Sequence, residues 1–194
     1  MQPLTRVDLM SLELYARERP GFRARLIRHR RTRALLLGDH CCWSFEDRLT
    51  VQYQIQEMLR TERIFEPEGI AEELAVYNPL IPDGSNLKAT LMLEYPDHDE
   101  RVQRLRELRG FERHCWMRVA GHEPVCAIAD EDLERESDTK TAAVHFLRFE
   151  FAAPMITALK GGAALGAGVD HPRYDHRAEP LPQALRGVLV RDFD

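Results

Sequence analysis

The chain has 194 residues, 44% of them apolar and 30% charged, with a net charge of −5. That suits one domain with a real core, is too short for two ordinary ones, and excludes disordered, collagen-like and coiled-coil chains. No apolar run approaches the roughly 18–20 residues needed to cross a bilayer, and MQPLTRVDLMSLELY lacks a secretory h-region, so a cytoplasmic location is expected.

In chain order, the opening reads as a helix capped at Thr5, with Asp8 at the third helical position and Leu4 and Leu9 stapled around the cap. Pro20 is expected to end it. Residues 21–32 read as a second helix with only Phe22, Leu26 and Ile27 to bury. Then RALLLGDHCCWSFED reads as two strands about Gly38–Asp39. The segment 49–64 alternates like a strand at Leu49, Val51, Tyr53 and Ile55. It also repeats at helical spacing at Val51, Ile55, Met58 and Leu59; its length and composition favour a helix capped by Asp47.

A further helix begins at Pro67, stops before Asn78–Pro79, and is followed by a turn at Pro82-Asp83-Gly84. Lys88–Tyr95 is a strand, and 97–109 is a helix capped by Asp97 and closed by Gly110. His114–Val119 and Pro124–Ala129 form a hairpin across Gly121–His122. A two-residue loop there would put Cys115 and Cys126 on one face. The acidic stretch DEDLERESD (130–138) reads as a solvated loop or short helix.

In TAAVHFLRFEF, His145, Leu147, Phe149 and Phe151 share one strand face, and Val144, Phe146, Arg148 and Glu150 the other. Pro154 starts a helix that ends at Gly161–Gly162. A strand over 163–170 stops near His171–Pro172, and Pro182–Phe193 closes as a helix. The expected fold is α+β: one domain over 1–194, a mainly antiparallel sheet with helices packed on it. Its N-terminal helical segment is about 5–32 and its sheet-plus-helix body about 33–194.

The stretches FEDRLTVQYQIQEMLRTERIF, YNPLIPDGSNLKATLMLEYPD, AVHFLRFEF and GVDHPRY resemble a bacterial family known only as a domain of unknown function. Its genes often lie near those for rubrerythrin and an iron–sulfur oxidoreductase. The resemblance runs along nearly the whole chain. It implies a setting of peroxide defence, iron or electron transfer, with those two proteins as candidate partners, and it supplies no catalytic residues.

The residues themselves offer three kinds of chemistry. The first is metal binding. None of the eight histidines lies in H-E-x-x-H or E-x-x-H, which disfavours zincin and ferritin-like sites. A site gathered from separate strands would use His145 and His171, with Glu94 or Asp170 as carboxylate, and would suit iron or zinc. The plainer reading makes His145 a satisfied core histidine and His171 a turn residue.

The second is anion binding. Eight arginines fall between Arg17 and Arg33, and Arg23, Arg28, Arg30 and Arg31 are the candidate contacts, since guanidinium forks fit phosphate. No nucleic-acid motif accompanies them, and no interleaved aromatic beyond Phe22. The alternative is that the acidic stretch neutralises them, within one chain or across a homodimer.

The third is a small-molecule site where a helix faces the sheet, drawing on Gln54, Gln56, Glu57, Arg60, Glu62, Glu94, Arg148 and Glu150. GGAALGAG (161–168) follows a helix and enters a strand, the reverse of a phosphate-binding order, so it reads as a helix cap. Cys41, Cys42, Cys115 and Cys126 contain no C-x-x-C and read as reduced thiols used as small apolar residues. The leading expectation is a cytoplasmic accessory protein of an iron or redox-stress system that binds a metal or a protein partner. The anion-binding module and the small-molecule enzyme stand as its alternatives.

Overall fold

The computed structural model describes residues 1–131 and 139–194. Thr5 and Asp8 cap one another as expected, with Asp8 Oδ2 accepting from Thr5 N at 2.8 Å, but they open only a short 3-10 turn, Arg6–Asp8. The long helix α1 (Leu12–Arg31) starts at Ser11, whose hydroxyl accepts from Leu14 N, and runs straight through Pro20. Proline removes one intrahelical bond. Here Tyr15 before it and Phe22 and Leu26 after it bury along one continuous stripe against Tyr53, which holds the two halves together. Ile27, expected inside, is exposed.

Strands β1 (Ala34–Leu37) and β2 (Cys41–Phe45) form the expected hairpin, with Gly38 at φ +67°. Residues 49–62 are helical. Helix α2 (Arg48–Glu62) starts at Asp47, whose Oδ1 accepts from both Leu49 N and Thr50 N at 3.0 Å. Helix α3 (Pro67–Tyr77) has its proline at N1 and passes into the turn Asn78–Leu80.

Strand β3 (Asn86–Leu93), helix α4 (His98–Glu107), β4 (Cys115–Val119), β5 (Val125–Cys126) and β6 (Ile128–Ala129) follow. Then come β7 (Val144–Glu150), α5 (Ala153–Lys160), β8 (Leu165–His171), β9 (Tyr174–Ala178) and α6 (Gln183–Leu189). The strand β9 has no counterpart in the sequence reading: YDHRA lacks a run of apolar residues, and only Tyr174 in it is buried.

The strands make two antiparallel sheets, β1-β2-β3-β7-β6 and β5-β4-β8-β9. The fold is α+β, with two sheets where one was expected. The chain crosses between them at Ala127: Cys126 pairs with β4 and Ile128 with β7. Inward residues of both sheets share one hydrophobic cluster, in which Trp43, Phe149, Met117 and Val169 are fully buried. Leu105, Leu159 and Leu185, from α4, α5 and α6, join it. Tyr174 ties the sheets further by donating its hydroxyl to Leu37 O at 2.6 Å.

Helices α1, α2 and α3 pack mainly on each other, around Val51, Ile55 and Leu59 on one side of α2 and Tyr53 on the other. The first turn of α2 and the turn after α3 border the outer face of the five-stranded sheet. Among the described residues, no helix is long and apolar enough to cross a membrane.

Candidate functional site

The structure sets the four expected metal ligands in separate surroundings. His145 lies on β7 in the five-stranded sheet, fully buried. Its Nδ1 is 2.5 Å from Asp130 Oδ2, and its Nε2 is 2.8 Å from Thr141 Oγ1 and 3.1 Å from Ala142 O. His171 ends β8 in the other sheet. Its Nε2 is 3.2 Å from Arg109 O, its Nδ1 accepts from Arg173 N, and burial pushes its pKa down.

Asp170 and His171 are strand neighbours and so point to opposite faces. The Asp170 carboxylate is exposed and meets His114 Nδ1 at 2.9 Å. Glu94 lies past the end of β3, where its backbone carbonyl accepts from His40 Nδ1. Among the described residues, no three His, Cys, Asp or Glu side chains converge as a metal set. His145 fits the plainer reading of a satisfied core histidine, while His171 is a strand residue rather than a turn residue; each ring has a protein partner at both nitrogens.

The basic helix divides differently. Arg33 is buried in an ion pair with Asp192 and also donates to Phe45 O and Glu46 O. Arg19 holds Glu57 through two bonds, at 2.7 and 2.8 Å. Arg17, Arg23, Arg25, Arg28, Arg30 and Arg31 have no carboxylate within 4.0 Å among the described residues. Arg25 lies 4.8 Å above the Phe22 ring. Of the acidic stretch 130–138, Asp130 pairs with His145 and Glu131 with Arg148, and residues 132–138 lie outside the described residues.

Two of the polar residues of α2 hold the fold. Gln56 is buried and accepts from Met10 N at 2.6 Å, while Glu57 accepts from Tyr15 and Arg19. Those two donors hold the Glu57 pKa down at about 2. A helix-on-sheet cleft does exist, one step along the chain, and of the residues named for it only Arg148 is present. It has a volume of about 420 Å³. Its roof is Val76 and Tyr77 of α3 with Pro79 and Leu80 of the turn, and its floor is the outer face of β3 and β7.

The floor carries the charge. Lys88 pairs with Arg148 across β3 and β7, and one step beyond the β2–β3 ladder Glu46 N donates to Lys88 O at 2.8 Å. Glu46, Lys88 and Arg148 therefore form one row across the sheet, with Phe146 beside it. Glu46 is 8% exposed, and its carboxylate accepts from the hydroxyls of Thr50 and, at 2.6 Å, Thr90.

Lys88 Nζ donates to Ile81 O at 2.9 Å and to Pro79 O, and burial pushes its pKa down. Arg148 is held by Glu131 and Glu150. Sequence reading missed Glu46, Lys88 and Tyr77. The alternation of KATLMLEY does set Lys88 and Thr90 on the face away from the core, but nothing local shows that a helix covers that face.

The chain belongs to the family described as Protein of unknown function (DUF3501), whose model matches residues 3–193. A crystal structure described as that of a novel protein of unknown function, from Burkholderia pseudomallei K96243, is 47% identical in sequence. It covers 100% of both chains with a TM-score of 0.90. No curated protein matches the sequence.

Proposed function

We propose that this protein binds a small organic molecule in the cleft between the α3 turn and the outer face of the five-stranded sheet. One observation carries the reading: a buried carboxylate with no cationic partner among the described residues, in the wall of a largely apolar cleft of about 420 Å³. Ligand sites are commonly apolar concavities of about 300–1,000 Å³ with a few placed polar groups. A carboxylate taken from water without a counter-charge is costly unless something repays it.

The metal reading has less support, because a metal at His145 or His171 would first have to displace existing hydrogen bonds. A redox or iron-handling role through a bound small molecule keeps the setting that the family resemblance implies, without a resident metal.

The test is titration with a neutral solvatochromic dye such as Nile red. The reading expects saturable binding at one site, lost when Val76→Trp or Leu80→Trp fills the cleft from its rim. Absence of saturable binding, or equal binding by both filled variants, would overturn it.

A second reading has its own observation. Among the described residues, six guanidinium groups of α1 have no carboxylate within 4.0 Å, in a chain of net charge −5. Such a local field draws polyanions whatever the overall charge.

A further inference from the structure

Directly opposed residues of opposite charge in an antiparallel pair ordinarily attract one another. Glu46 and Lys88 occupy such positions, linked through Glu46 N and Lys88 O. Yet their side chains part. Glu46 turns to two threonine hydroxyls and Lys88 to two backbone carbonyls. Among the described residues, no cation lies within 4.0 Å of Glu46 and no carboxylate within 4.0 Å of Lys88. The third charge in the row, Arg148, is already neutralised by Glu131 and Glu150.

Counting bonds sharpens this. An ammonium has three donors and an ionised carboxylate about four lone-pair sites. Each group here uses two. One donor on Lys88 and spare acceptor capacity on Glu46 therefore remain at the cleft floor, beneath apolar walls from Val76, Tyr77, Leu80 and Phe146.

We propose that the cleft selects a small zwitterion with an apolar body, its ammonium held by Glu46 and its carboxylate by Lys88. An amino acid with a branched or aromatic side chain is the simplest member of that class. The assignment rests on the cleft being the binding site. A ligand with an ammonium alone would leave Lys88 with no anion in contact, and one with a carboxylate alone would leave Glu46 with no cation in contact. Only the zwitterion answers both.

The experiment is calorimetry on the full chain with three probes of one body: L-phenylalanine, phenethylamine and 3-phenylpropionate. L-Phenylalanine should bind at least tenfold tighter than either single-charge probe. Glu46→Gln, which keeps the side-chain size, should weaken L-phenylalanine and phenethylamine tenfold or more and leave 3-phenylpropionate unchanged. Lys88→Met should do the converse.

Equal binding of all three probes, all lost in Val76→Trp, would overturn the zwitterion assignment and leave the cleft reading standing. No binding of any probe by a chain that still binds Nile red would do the same. A chain that binds neither dye nor probes loses both.

Discussion

His145 Nδ1 and Asp130 Oδ2 are 2.5 Å apart, and the imidazole between them and Thr141 joins the chain on both sides of residues 132–138. Asp130 adopts φ +52°, a left-handed conformation that Asp tolerates better than most residues, and its second oxygen accepts from Phe146 N at 3.1 Å. The histidine that a strand pattern places among Leu147 and Phe149 is thus a structural tie whose polar atoms are all engaged.

Replacing His145 by Leu should destabilise the fold by about 3 kcal/mol, because the change keeps apolar volume but removes the imidazole bonds to Asp130 Oδ2 and Thr141 Oγ1. Asp130→Asn, which retains an acceptor, should cost less. Urea unfolding measures both. If His145→Leu unfolds at the wild-type midpoint, or if EDTA alone lowers the wild-type midpoint by a similar amount, the tie is not the reason for the histidine.

Arg33 and Asp192 make a second buried pair, each 2% exposed. Burial pushes the Asp192 pKa up even though Arg33 pulls it down, so desolvation is the larger effect. Arg33→Met should therefore cost about 3–5 kcal/mol by leaving that carboxylate uncompensated, while Arg33→Met with Asp192→Leu should recover much of the loss.

The sign with pH follows from the raised pKa. A carboxyl whose folded pKa exceeds its unfolded value, about 3.9, favours folding below that value. It loses that contribution as pH rises through the folded pKa. Arg33→Met should consequently be more damaging at pH 7 than at pH 4, and equal losses at the two pH values would contradict the account.

The four thiols should differ sharply in a native-state thiol titration. Cys126 is exposed and should react first, with half-buried Cys42 slower. Cys41, whose pKa burial pushes up to about 12, and Cys115, pushed up well above the ordinary thiol range, should react only on unfolding. Under denaturant all four should titrate. A native burst of more than two thiols would show that the space between the sheets admits solvent.

That ordering also marks where sequence reasoning stopped. The periodicity of 141–151 assigns both faces of β7 correctly, because one face is buried and alternation reports burial. Strands β4 and β5 do pair as a hairpin, but their loop is longer than the two residues that would put Cys115 and Cys126 on one face, and the register pairs Cys126 with Trp116. Cys115 is therefore inside and Cys126 outside. Register depends on loop geometry and on which sheet takes the next strand, and here β6 leaves for the other sheet after a single residue. Pro20 lies inside α1 for a related reason: the stripe of Tyr15, Phe22 and Leu26 outweighs a local helix breaker only once Tyr53 is in place.

Partners distant in the chain were equally invisible. Asp192 lies 159 residues from Arg33, and the turn that covers Lys88 belongs to a different layer. Glu46 reads in sequence as one more acid before a helix cap. Only the tertiary fold shows that it is buried and faces a cleft.

The basic surface of α1 gives the last prediction. Arg23, Arg28 and Arg31 are exposed, and no carboxylate lies within 4.0 Å of them among the described residues. Reversing their charge should therefore leave the fold intact, unlike any change at Arg33. Phosphate binding by these three with Arg30 would release about four counterions, giving a slope of log affinity against log salt of roughly −3 to −4 on duplex DNA. The triple variant Arg23→Glu, Arg28→Glu, Arg31→Glu should abolish retention on heparin while keeping the wild-type unfolding midpoint. A filled-cleft variant such as Val76→Trp should be retained like wild type, which separates the two surfaces. If wild type passes through heparin at low salt, the arginines of α1 are a solvated face and the polyanion reading falls.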